Sequence, residues 1–327
     1  MKSAFFLLCL TLFASPLYAD QTLGVATIDV AGENVERPLR LSLWYPGLGG
    51  KVEEMGGNAV FTGETAVPDA AVVARRFPLV LVSHGGLRSA RDSGAWLSAA
   101  LARSGYIVVE VNGPRPATAA EAVDEIWRRP SDTSRALDTV LNHPIWSQHI
   151  EESRISVVGF ALGGTAALKL SGSQLDTQAF MQSCGTFGGS PDCGWLEAHN
   201  VSLGSVDLDA LTTARKDARV SSVVAIAPEY THAFSDKSSH AGISALIVLL
   251  GSDKPLSSPV DATTQVIEIP NADVSDGLPV CTSAGPEILS EDGGDPSICG
   301  PSAETRSAAH SAIANSVLTF LENPDGS

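Results

Sequence analysis

The run Gly159-Phe-Ala-Leu-Gly-Gly164 constrains this chain more than any other stretch. It follows the apolar Ile155-Ser-Val-Val and precedes Thr165-Ala-Ala-Leu, so it reads as a buried strand, a tight turn and a helix start. A strand that passes so directly into a helix belongs to a layered sheet with crossover helices. In a nucleophile elbow the middle residue of such a turn is a serine, whose hydroxyl the turn lifts above the sheet. Here the middle residue is Ala161, and a methyl group cannot attack a carbonyl.

Strand-like runs alternate with helical patterns along the rest of the chain. Residues 23–30 and 39–45 read as opening antiparallel strands, and 77–83 (Phe-Pro-Leu-Val-Leu-Val-Ser) is the continuous apolar run of a strand buried on both faces. Further strands are expected at 106–111, 155–160, 220–227, 245–250 and 265–269. Helices are expected at 89–104, 117–141, 163–171 and about 303–321. That order predicts an α/β fold with a mostly parallel central sheet of about eight strands and helices on both faces. Two stretches interrupt it. Residues 47–69 are polar and Gly-rich and read as a surface excursion. Residues about 172–217 carry two cysteines and many Gly and Ser, and an insertion just after the elbow helix would form a small cap over the site. No repeat or linker divides 20–327, which reads as a single domain with a cap insertion.

The first 19 residues combine Lys2, a short apolar run and a small residue at Ala19, the pattern of a secretory signal peptide. The run is too short to span a membrane. Cleavage near Ala19 would export the mature chain to a periplasmic or extracellular compartment. Of the five cysteines, Cys9 leaves with the leader and Cys184, Cys193, Cys281 and Cys299 remain. An even number in an oxidising compartment predicts two disulfides. Pairing Cys184 with Cys193 and Cys281 with Cys299 closes two short loops rich in Gly, Ser, Pro and acidic residues, and is preferred over the other two connectivities. No Cys-x-x-Cys spacing points to zinc. The formal net charge is −16, with no basic cluster beyond Arg-Arg pairs, which disfavours nucleic acid and anionic membranes as partners.

Ester cleavage by a serine triad needs a nucleophile, a histidine that takes its proton, an acid that orients the histidine, and backbone N–H groups that hold the oxyanion. Strand 77–83 runs into Ser83-His84-Gly85-Gly86-Leu87, where Gly86 would offer one oxyanion N–H and Leu162, just after the elbow position, the second. With these pieces in view, the chain resembles the secreted dienelactone-hydrolase-like esterases, a branch of α/β-hydrolases close to the platelet-activating-factor acetylhydrolase type. The matching pieces run in order over nearly all of the mature chain. They are Arg40-Leu-Ser-Leu-Trp-Tyr-Pro46, Phe77-Pro-Leu-Val-Leu-Val-Ser-His-Gly-Gly86, Leu101-Ala-Arg-Ser-Gly-Tyr-Ile107, Arg129-Pro-Ser-Asp-Thr-Ser-Arg-Ala-Leu137, the elbow, Lys216-Asp-Ala-Arg-Val220 and residues 271–281. The resemblance implies an α/β-hydrolase fold and carboxylic ester hydrolysis. It places the acid at Asp253 in Leu249-Leu-Gly-Ser-Asp253-Lys-Pro, with Glu229 a weaker substitute. It places the histidine in a segment like Asn-Ala-Asp-His-Phe-Asp-Phe-Leu-Pro-x-Cys. The ungapped counterpart here is Asn271-Ala272-Asp273-Val274-Ser275-Asp276-Gly277-Leu278-Pro279-Val280-Cys281, so the histidine position is Val274. Valine can neither accept nor donate a proton.

Two of three triad positions are therefore vacant. One engineered change would explain Ala161 alone, whereas loss in nature explains both. In a well-studied triad hydrolase, removing the serine or the histidine alone costs about a million-fold, and removing both costs little more. Rebuilt chemistry would have to use other histidines. His84 is nearest by its motif, and a histidine there packs under the oxyanion loop and hydrogen-bonds; His84 and His232 are the candidates for lining the pocket. A Ser–His pair around His232 and His240, or His84, His232 and Asp253 on a metal, has no spacing signature, so neither a metal nor a cofactor is expected. His310, in the final helix, reads as packing or surface. The favoured reading is an exported α/β-hydrolase-fold pseudoenzyme whose pocket position suits a small ester or acyl ligand. Its alternatives are an active carboxylic ester hydrolase using non-standard residues and an interaction protein with an unused pocket.

Overall fold

The computed structural model describes residues 21–30, 37–87, 90–186, 192–213, 215–234, 242–251 and 263–324. The expected signal peptide at 1–19 and the acid position Asp253 lie outside the described residues.

Eleven strands make one sheet among the described residues. They are β1 (Gln21–Val30), β2 (Leu39–Leu48), β3 (Glu53–Met55), β4 (Glu64–Pro68), β5 (Ala71–Val72), β6 (Phe77–Ser83), β7 (Ile107–Asn112), β8 (Ile150–Phe160), β9 (Ser222–Ile226), β10 (Ser244–Leu250) and β11 (Thr264–Ile269). Their order across the sheet is β11-β10-β9-β8-β6-β7-β2-β1-β4-β3, with β5 on β2. The six strands from β11 to β7 are parallel, and β2 lies antiparallel to both β7 and β1.

This corrects the expectation of about eight mostly parallel strands: the sheet has eleven and is mixed. Each run expected to be a strand forms one. The additional three come from the stretch around 47–69, read as a surface excursion, and the residues just after it. β3, β4 and β5 are short and largely exposed or half-buried, and edge strands of that kind need no continuous apolar run.

Alternation along the central strands sorts side chains to two faces. On β6, Val80 and Val82 join a cluster with Val108, Val158, Val224 and Val248. Leu79 and Leu81 join the opposite cluster with Ile107, Val109, Val157 and Val223. Helices Ala95–Arg103 and Ala303–Glu322 supply buried residues to the first face. Helix Glu125–Asn142 and the elbow helix Leu162–Ser171 supply them to the second. The helix expected from 89 starts only at Ala95, because Asp92 takes φ 58° and breaks the run before it. The helix expected at 117–141 divides into Ala119–Val123 and Glu125–Asn142, with Pro130 inside the second.

Residues after the elbow helix fold into short helices, Thr177–Met181, Ser183–Thr186, Cys193–Ala198 and Leu208–Thr212. Leu175, Phe180, Leu196, Leu203 and Leu211 from this segment pack with Leu87 and Leu162 in a third apolar cluster. The segment is thus fastened to the oxyanion loop and the elbow. Both disulfides pair as expected, Cys184 with Cys193 and Cys281 with Cys299, at Cα separations of 5.5 and 5.6 Å. No helix among the described residues is long and apolar enough to cross a membrane.

Candidate functional site

Ala161 sits between β8 and the elbow helix at φ 54°, ψ −120°. A residue other than glycine pays on the order of 1–3 kcal/mol for such a backbone. Its neighbours hold it there. The Ala161 N–H donates to Ile226 O on β9 at 2.9 Å, and the Ala161 carbonyl accepts from Gly164 and Thr165 N–H. Thr165 Oγ1 donates to Glu229 O at 2.6 Å. The glycines permit direct backbone contact: a Cβ on Gly159 would lie 1.9 Å from Gly163 O, and one on Gly163 would lie 1.8 Å from Ser83 O. Ala227 (φ 42°) and Tyr230 (φ 56°), just after β9, are also strained. The elbow keeps its shape around a side chain that is a buried methyl group.

The loop expected to hold the oxyanion, called the oxyanion loop for its place in the motif, follows β6. Gly85 takes φ 83° and its N–H donates to Phe160 O at 3.0 Å. Arg129 reaches in from helix Glu125–Asn142 and donates to His84 O at 2.9 Å, to Gly85 O at 2.6 Å and to Gly86 O. One guanidinium thus ties back three successive carbonyls. The Leu162 N–H meets no acceptor among the described residues. Acidic side chains, however, stand at the other half of the expected hole. Leu87 N–H donates to Asp192 Oδ2 at 3.1 Å. A Cβ on Gly86 would lie 3.1 Å from Asp192 Oδ2 and 3.4 Å from Glu229 Oε1. Both acids are buried. A hole that stabilises a developing oxyanion presents donors, and carboxylates beside the loop are of the opposite character.

Val274 opens the turn Val274–Gly277, which Asp273 caps with its side chain and Asp276 closes in a reciprocal capping box. Val274 packs against the apolar cluster that contains Ala161 and Phe160. The two positions read as vacant in sequence therefore both meet the apolar cluster on this face of the sheet. The turn is docked by its last residue. Gly277 O accepts from His84 Nε2 and Trp96 Nε1, both at 2.8 Å, and a Cβ on Gly277 would lie 1.9 Å from the Phe160 ring.

His84 is accounted for by that bond. A carbonyl only accepts, so Nε2 carries the proton, and Nδ1 is buried with no hydrogen-bond partner among the described residues. The ring stacks on Phe160 at 5.0 Å, and burial pushes its pKa down to about 4. His84 ties two loops together and is held neutral. His310 behaves similarly: it stacks on Trp96 at 3.8 Å, bonds Leu278 O at 3.0 Å, and burial takes it to about 4. His232 Nε2 stands 2.8 Å from Ser183 Oγ. That hydroxyl is fully buried and gives its proton to Ala179 O at 3.1 Å, so the ring nitrogen donates to it and the pair fastens the segment after the elbow helix to the turn Thr231–Ala233. His240 lies outside the described residues. Among the described residues no group of three or more His, Cys, Asp or Glu side chains could hold a metal ion.

Sequence reasoning missed Asp192 and the role of Arg129. Both act on the oxyanion loop across long stretches of chain. The only local hint at Arg129 was Glu125 one helical turn earlier, which it approaches at 3.5 Å.

Comparison with known proteins supports the fold. No family model matches the chain, and no curated protein matches it. Among solved structures it is similar to a ferulic acid esterase from Streptomyces cinnamoneus, with a TM-score of 0.56 and 18% identity over 89% of this chain and 88% of that one. The mixed α/β sheet with its elbow therefore shares the fold of that esterase.

Proposed function

We propose that this protein is an exported relative of the ester hydrolases that does not cleave esters with a serine triad, and whose pocket position suits a small ester or acyl ligand. Ala161 carries the reading. The turn that exists to present a nucleophile is preserved, with its strain and its glycines, and presents a methyl group. Val274, which meets the same apolar cluster, supports it, because the chain's counterpart to the catalytic histidine cannot move a proton. Asp192 on the Leu87 N–H supports it further, since an acid side chain takes up a donor of the oxyanion loop. Two disulfides are consistent with export. The test compares wild type, Ala161→Ser, Val274→His and the double variant on p-nitrophenyl acetate and butyrate. Wild type and both single variants are expected at the buffer rate, and the double variant above it. Wild-type turnover that a serine-directed inhibitor abolishes would overturn the proposal.

A further inference from the structure

We propose that the recess behind the oxyanion loop, framed by Arg37, Arg91, Arg115 and Arg129, binds a compact oxyanion, a carboxylate or phosphate group on a small molecule. The recess lies at the carboxyl ends of β6 and β7, the side from which ligands approach open α/β sheets. It leaves about 50 Å³ to the centres of water molecules. That holds a few waters and suits one charged group better than an acyl chain or a sugar.

The four guanidinium groups are not equivalent. Arg37 is paired with Glu125 and Asp132, each at 2.7 Å, and Arg129 is committed to the loop carbonyls and to Glu125. These two acids also line the recess, where they are buried and balanced by those two arginines. Arg91 and Arg115 are exposed at its rim and make no ion pair or hydrogen bond among the described residues. This is unusual in a chain with 37 acids against 21 lysines and arginines. Arg215 apart, every other described arginine has an acid, a carbonyl or a ring as partner. Two arginines left over on one small recess form a cationic excess that no described side chain neutralises.

The rim is also built in advance. Asp92, next to Arg91, and Asn112, at the end of β7, exchange hydrogen bonds: Asp92 N–H to Asn112 Oδ1 and Asn112 Nδ2 to Asp92 Oδ1, both 3.0 Å. Ser42 Oγ donates to the same Asp92 oxygen at 2.7 Å. These bonds fix the segment bearing Arg91 against the loop bearing Arg115. Gly113, on that loop, lies directly on the Arg37 guanidinium, where a Cβ would be 2.7 Å from Nη2. A site whose backbone is already positioned has only the two arginine side chains left to order on binding. Bidentate guanidinium contacts suit carboxylate and phosphate alike.

The inference does not depend on the loss of ester cleavage. Its test is isothermal titration of the full chain with inorganic phosphate and with succinate, at ionic strength held constant with chloride. At least one of the two is expected to bind saturably at one site per chain, and which one binds identifies the class of oxyanion. Arg91→Gln and Arg115→Gln should each weaken that binding roughly tenfold or more, as for a lost charge-assisted contact. Arg40→Gln, on β2 and outside the recess, should leave it unchanged. Both rim residues are exposed, so the variants should keep the wild-type circular dichroism and Tm. No saturable heat with either anion, or equal affinity in wild type and both rim variants, would overturn the proposal.

Discussion

Replacing Arg129 with alanine should cost the fold about 3 kcal/mol. The side chain is 12% exposed and lies on the oxyanion loop. Its Nη1 donates to His84 O at 2.9 Å and Gly85 O at 2.6 Å, and Nη2 donates to Gly86 O. A hydrogen bond to a charged group is worth about 1.5–3 kcal/mol. Three on one guanidinium do not add, and the recess alongside lets water reach the freed carbonyls. Glu125 keeps Arg37 at 2.7 Å, so no buried charge is stranded. These offsets bring the sum down to the figure given. Arg129→Lys retains one charge without the planar fork and cannot span three carbonyls, so about half the loss is expected. Urea unfolding followed by tryptophan fluorescence reads both variants as a lower midpoint at constant m. Amide exchange of residues 84–87 should accelerate in the alanine variant. An alanine variant that loses less than about 1 kcal/mol at constant m would refute the view that this guanidinium holds the loop.

Acid should unfold the protein through its buried histidines. His84 and His310 hold pKa values of about 4, against 6.5 when unperturbed, so the unfolded chain binds more protons between those values. Stability is then complete above pH 6.5 and is lost as the pH falls towards 4, by up to about 3 kcal/mol per ring. Thermal melts at pH 7 and near pH 4 check this, and His310→Gln should flatten the dependence. Reduction of Cys184–Cys193 and Cys281–Cys299, which close separations of 9 and 18 residues, should remove about 2.5 and 3 kcal/mol by the chain-entropy estimate. Urea melts with and without reductant, and of Cys281→Ser/Cys299→Ser, measure it; unchanged midpoints would contradict it. Gly163→Ala drives a Cβ to 1.8 Å from Ser83 O and should cost about 3 kcal/mol or abolish soluble expression. Gly185→Ala, which meets nothing within 4 Å, should be neutral or slightly stabilising in the same melt.

Much of the fold could be read from the chain because the informative signals were local. Apolar runs such as Phe77–Ser83 mark strands buried on both faces, and the glycines at 159, 163 and 164 mark a turn that only close backbone contact requires. The cysteine pairs closed short loops, so sequence separation sufficed to choose between connectivities. What escaped was set by tertiary contact. The edge strands β3–β5 gain their pairing from β1 and β2 and from each other, not from an apolar pattern of their own. The late start of helix Ala95–Arg103 follows from Asp92, whose backbone and side chain are held by Asn112 on a neighbouring strand. At the site, Ala161 and Val274 were found by their places in motifs, and His84 by its position in the loop. Asp192 and Arg129 were not assigned roles, since Leu87 and Asp192 lie 105 residues apart and Arg129 and His84 lie 45 apart.

Loss of the serine nucleophile is tested most directly by covalent labelling. A fluorophosphonate modifies a serine only where an adjacent base activates its hydroxyl. Wild type and the Ala161→Ser/Val274→His variant are incubated with the probe, weighed intact, digested and mapped, and their turnover of p-nitrophenyl butyrate is followed alongside. Wild type should gain no mass and turn over ester at the buffer rate, while the double variant should gain one adduct, at the substituted elbow position. A wild-type protein that takes up one phosphonate on a serine, and loses measurable esterase activity as it does so, would contradict the account.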